Sequence, residues 1–178
     1  MPSEIKAIRV FLSSPGNLKE DRELVKEIVS QINIDRGRKD GFYIDLIMWE
    51  THTRPSIGNY AQEVINSQIP DDIDIFIGLM GHHFGTPTKD YNSGTEEEFR
   101  IAYNRWTKTA SPDIMFYFSN FANTLRGINA TQLALVQKFK QEISDLGILY
   151  STYSELSEFG YSIRNNLGSG PIDFTFAA

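Results

Sequence analysis

The chain has 178 residues, 40% hydrophobic, 12% aromatic and 22% charged, which suits one globular domain with a real core and excludes disordered and fibrous classes. Its net charge of -6, with no basic cluster, argues against a direct nucleic-acid surface, because phosphate binding relies on grouped Lys and Arg. It has no cysteine, which excludes disulfides and thiolate metal sites, and no apolar run of the roughly 18 to 20 residues that a membrane span needs.

The opening residues read straight into a strand, so no leader is expected and the expected location is cytoplasmic. The first strand is 8–12 (IRVFL), stopped by SSPG at 13–16. Asn17 then reads as a helix cap with Glu20 three residues on, and Leu24, Val25, Ile28, Val29 and Ile32 form one apolar stripe on a helix ending near Asp35. The basic stretch 36–41 reads as a solvated turn. A second strand follows at 43–49, then a polar loop at 50–56 and a helix at 57–69 that stops before Pro70.

The third strand is a near-continuous apolar run at 73–79 (IDIFIGL), the signature of a strand covered on both faces. A glycine-punctuated loop, GHHFG at 81–85, leads to SGTEEEF at 93–99 and a third helix over 95–108, with Phe99, Ala102, Tyr103 and Trp106 at helical spacing. A fourth strand at 114–118, a polar connection at 119–129 and a helix at 131–145 follow, the helix packing through Leu133, Val136, Phe139, Lys140 and Ile143. A fifth strand at 148–152 and a last helix at 154–167 complete a domain over 1–167; residues 168–178 read as a linker or the start of a following segment.

Five strands alternating with helices, with no hairpin signal between adjacent strands, predict an α/β fold with a parallel sheet and helices on both faces. Right-handed crossovers favour the flavodoxin-like order 2-1-3-4-5. In that order the ligand crevice opens where the strand order reverses, above the carboxyl ends of the first and third strands. The loop at 13–16, the loop at 80–94 and the start of the third helix converge there.

Among the three glutamates of that helix start, about 100° per residue turns Glu97 away from the apolar face, while Glu96 and Glu98 flank it and periodicity does not separate them. With Thr95 as cap, Glu98 closes a capping box, its simplest role. Ser13, Ser14 and Gly16 form a turn that is also suited to hold a ribose or phosphate, and Gly81 lies in the opposite loop. Trp49 and Phe84 are candidates to stack on a base, against a plain core role. His82 and His83 do not read as a metal site: adjacent side chains diverge, and no thiol or second histidine at ligand spacing completes a set.

Five segments, 8–16 (IRVFLSSPG), 49–58 with its Arg54-Pro55 pair, 74–78 (DIFIG), 81–85 (GHHFG) and 93–98 (SGTEEE), together resemble the TIR-like (Toll/interleukin-1 receptor-like) domains. The likeness is nearest to the uncharacterised branch at the amino terminus of NTPase-containing and antiviral defence proteins. GTEEE at 94–98 followed by Ala102 is also similar to the glutamate motif of nucleoside deoxyribosyltransferases, which break an N-glycosidic bond.

The resemblance implies that Glu98 is catalytic, that the substrate is NAD, with no separate cofactor, and that activity needs self-association into a homo-oligomer. It also implies that the loop carrying Arg54 reaches the neighbouring subunit. Chemically, the nicotinamide nitrogen leaves as a neutral base, so an ionised carboxylate beside the oxocarbenium-like ribose is the essential group, and a helix amino terminus favours its charged form. Two alternatives remain: a non-catalytic assembly module, and a nucleoside or nucleotide N-glycosidase or transferase.

Overall fold

The computed structural model describes residues 5–48, 70–120 and 128–168. Its architecture is α/β: a five-stranded parallel sheet in the order β2-β1-β3-β4-β5, built from β1 (Lys6–Ser13), β2 (Phe42–Met48), β3 (Ile75–Met80), β4 (Asp113–Ser119) and β5 (Tyr150–Tyr153). The expected flavodoxin-like order is therefore the observed one. Four longer helices accompany it: α1 (Lys19–Ile32), α2 (Gly94–Thr109), α3 (Ala130–Asp145) and α4 (Leu156–Gly168). The helix expected at 57–69, the loop before it and the segment after Gly168 lie outside the described residues.

Alternation along the central strands divides the core into two chemistries. Val10, Leu12, Ile75, Ile77 and Leu79 face the layer of α1 and α4, where Val25, Ile28, Phe159 and Ile163 cover them. Phe11, Phe76, Phe116 and Phe118 face the opposite layer, against Phe99 of α2 and Phe139 of α3. Phe99 stands edge-on to both Phe116 and Phe139, at ring-centroid distances of 5.9 and 5.4 Å, geometry that aromatic quadrupoles favour. Lys140, a charge on the expected packing side of α3, lays its ammonium over the rings of Phe118 and Tyr150 at 5.3 and 5.1 Å.

Gly78 shows why a glycine interrupts the apolar β3. It pairs in register with Ser13 on one side and Phe116 on the other, and a Cβ there would lie 2.2 Å from the Phe116 ring. The glycine is the space that this ring occupies.

Two local expectations are corrected. The stretch at 36–41 is not a plain solvated turn: α1 continues through a wide π-helical turn, Asn33–Gly37, and a final turn, Arg38–Asp40, ended by Gly41 at φ 73°. Asn33 ties that turn to the sheet, donating to the Ile44 carbonyl at 2.9 Å and accepting from its N–H at 2.8 Å. Nor is Asn17 the cap of α1. Leu18, whose side chain has no hydrogen-bonding group, occupies that position. Among the described residues, no helix is long and apolar enough to cross a membrane.

Candidate functional site

The helix start at 93–98 contains two overlapping Ser/Thr-x-x-Glu patterns, and only one is used. Ser93, not Thr95, is the N-cap of α2: its hydroxyl accepts from the Glu96 N–H at 3.1 Å. Glu96 reaches back to the residue before the cap, accepting from the Asn92 N–H at 3.1 Å, and its other oxygen lies 3.4 Å from Arg100. The register is fixed by tertiary packing, since Gly85, at φ 118°, leaves room for Ser93 where a Cβ would lie 3.0 Å from the serine's own. The capping role assigned by pattern to Glu98 thus belongs to Glu96.

Glu98 instead turns toward the sheet. Ser13, at the carboxyl end of β1, donates its hydroxyl to Glu98 Oε2 at 2.5 Å. Both are buried, Ser13 at 0% and Glu98 at 5% exposure, so the bond forms where the local dielectric is low and a hydrogen bond is strong. Glu97, expected to face solvent, is buried too, at 6% exposure. The helical wheel measures orientation against one apolar face, whereas the first turn of α2 is enclosed on more than that side.

Glu98 lines a cavity of about 330 Å³ with Ser14, Pro15, Gly16 and Asn17 on the β1 side and His83, Gly85, Ser93 and Thr95 on the β3 side. This is the crevice at the strand-order reversal. Ser14 and Gly16 border it, and the Ser14 oxygen already accepts a hydrogen bond. Arg22, 2% exposed, donates to Ser14 Oγ at 2.8 Å, to the Pro15 carbonyl at 2.9 Å and to the Gly16 carbonyl at 3.4 Å. A guanidinium fork so used shapes the β1 loop from beneath.

A second cavity, of about 680 Å³, adjoins the first and shares Asn17 and His83 with it. Gly81 belongs to this larger one, beside the start of α1, Ser119, Asn129 and Gln132. Its wall includes Asp21, which accepts a hydrogen bond from the Tyr153 hydroxyl. Burial, foremost, and this carboxylate push the Tyr153 phenol well above its usual range.

Phe84 is corrected as a stacking candidate. Its ring is 2% exposed and edge-on to Phe139 at 5.5 Å, so it anchors the loop in the core. Trp49 and Arg54 lie outside the described residues.

Three roles are not expected from the sequence: Arg22 as anchor of the β1 loop, Ser93 as the cap of α2 and Gln132 as a brace of the β3 loop. Carrying the apolar stripe of α1 one turn back from Val25 and Val29 lands on Asp21 and Arg22, a signal that was present. Gln132 accepts from the Phe84 and Gly85 N–H groups at 2.8 and 3.2 Å, across 48 and 47 positions, which no local pattern announces.

Residues 9–168 match a protein family described as a domain of unknown function, DUF4062. No curated protein matches the chain.

Proposed function

The chain belongs to the DUF4062 family, and from the geometry of its crevice we propose that it is a TIR-like enzyme that cleaves the N-glycosidic bond between nicotinamide and ribose in NAD. The observation that carries this reading is the division of labour among the glutamates. Glu96 caps α2, while Glu98 is held by Ser13 at 2.5 Å on the wall of the cavity at the strand-order reversal.

A carboxylate in that position suits a reaction whose transition state places positive charge on a sugar. The bond from the ribose C1′ to the nicotinamide nitrogen breaks, the electron pair leaves with the neutral base, and water adds to C1′ and loses a proton. Glu98 supplies the negative charge that stabilises the cationic ribose, and Ser13 fixes the carboxylate so that little reorganisation is needed. Residues 14–16, shaped by Arg22, form the opposing wall. The resemblance to TIR-like defence proteins supports an effector role switched on by self-association.

The test is chromatography of NAD incubated with the protein, dilute and held in an assembly, beside a Glu98→Gln protein treated alike. Nicotinamide release by the assembled parent, reduced about 10²- to 10³-fold by Glu98→Gln, is expected. Intact NAD after incubation with the assembled parent, or equal rates for the two proteins, would overturn the reading.

A further inference from the structure

The larger cavity beside the Glu98 crevice carries a pair of amides whose orientation is set. Asn129 Oδ1 accepts from the Thr131 and Gln132 N–H groups at 2.9 and 3.1 Å, capping α3. Gln132 Oε1 accepts from the Phe84 and Gly85 N–H groups at 2.8 and 3.2 Å. Each amide oxygen is thus committed to two backbone donors. This identifies the oxygen end and leaves each NH₂ end as a donor with no hydrogen-bond partner among the described residues. Both residues line the cavity.

The remaining wall suits a flat, neutral group. Leu18, Ile128 and Leu156 supply apolar surface beside the polar His82, His83 and Ser119, and the positive charge of Lys19 is offset by Glu20 and Asp21. A heteroaromatic ring with acceptor nitrogens gains both the apolar contact and the donors. Each NH₂ can donate to one such ring nitrogen.

At about 330 and 680 Å³, each cavity is within the size range of small-ligand sites, and they meet at Asn17 and His83. We infer that the two are lobes of one site, with the larger lobe holding the second nucleoside of a dinucleotide whose first ribose lies beside Glu98. This rests on the proposed glycosidic chemistry for the identity of the first half. Gln132 and Asn129 are, on this assignment, specificity-determining residues that favour dinucleotides over mononucleotides.

Calorimetric binding of NAD and of nicotinamide mononucleotide, with nicotinamide release measured in parallel, tests the assignment. The proteins compared are the parent, Gln132→Glu and Asn129→Asp, each of which keeps an oxygen for the backbone N–H groups and removes the NH₂ donor, and Leu156→Trp, which fills the lobe. The parent is expected to bind NAD at least about 10-fold more tightly than the mononucleotide, and each variant to lose most of that preference with mononucleotide affinity unchanged. Equal affinities in the parent, or a preference that survives all three substitutions, overturn the assignment while leaving mononucleotide cleavage intact. NAD-selective binding that the variants abolish, without nicotinamide release, upholds the second lobe and removes the proposed chemistry. Binding of neither nucleotide overturns both.

Discussion

Ser13 and Glu98, 85 positions apart, meet at 2.5 Å because β1 and β3 are neighbours and α2 starts above their carboxyl ends. A buried hydrogen bond to a carboxylate is worth about 1.5–3 kcal/mol, and here it orients the group assigned to the chemistry. Ser13→Ala is therefore expected to lower kcat for nicotinamide release about 10- to 100-fold, with a smaller effect on KM. Combined with Glu98→Gln it should add little, since both act through one carboxylate; a double variant whose losses multiply would separate the two residues.

The choice of cap makes an independent prediction. Ser93→Ala removes the acceptor for the Glu96 N–H and should cost about 1 kcal/mol in urea unfolding. Thr95→Val keeps the side-chain shape and removes a hydroxyl that is not the cap, so it should change stability by less than half as much. The reverse order would return the cap to Thr95, and with it a capping role to Glu98.

The sheet was legible because strands announce themselves locally: apolar runs bounded by turn residues give five strands, and right-handed crossovers leave few orders. The crevice followed from that order alone. What the sequence hid depends on distant contacts. Two capping patterns overlap at 93–98, and the position of Gly85 against Ser93 decides between them. Phe84 in a glycine-rich loop looks available to a ligand until Phe139, 55 positions on, claims it. Arg22, a charge in the first turn of a helix, does not by its residue type show that it sits on the buried stripe. The π-helical turn at Asn33–Gly37 is stabilised by β2, which the local composition does not mention.

Arg22 invites a prediction of its own. Its fork serves Ser14 and two loop carbonyls, which an ammonium matches poorly. Arg22→Lys should cost about 1.5–3 kcal/mol in stability and raise KM more than it lowers kcat, because the altered loop borders the ligand without touching the carboxylate. An unchanged KM in a folded Arg22→Lys protein would show that the loop keeps its shape without the fork.

Gly78→Ala tests the packing beneath the site. The new methyl would lie 2.2 Å from the Phe116 ring, which is itself wedged among Phe99, Phe118 and Phe139. Overpacking of this kind costs about 1–3 kcal/mol. Gly78→Ala combined with Phe116→Leu should recover part of the loss, whereas Gly160→Ala, with its nearest contact at 3.4 Å from a flexible Leu24, should be much milder. Thermal unfolding of the four proteins reads the difference.

Tyr153 and Tyr117 are 3% and 2% exposed. Both phenols are held above their ordinary value near 10: Tyr153 by burial first and by Asp21, Tyr117 by burial first and by Asp113, against a lowering hydrogen bond from Asn166. Below that value both the folded and the unfolded chain keep these protons. Above it the unfolded chain releases them while the folded chain retains them, so stability falls as pH rises, by up to about 1.4 kcal/mol per pH unit for each tyrosine. Urea unfolding at pH 8, 9.5 and 10.5 should show this decline, and Tyr153→Phe should lower stability at pH 8 through loss of its bond to Asp21 yet flatten the alkaline slope. A slope unchanged in Tyr153→Phe would mean that the phenol ionises as readily in the folded chain as in the unfolded one.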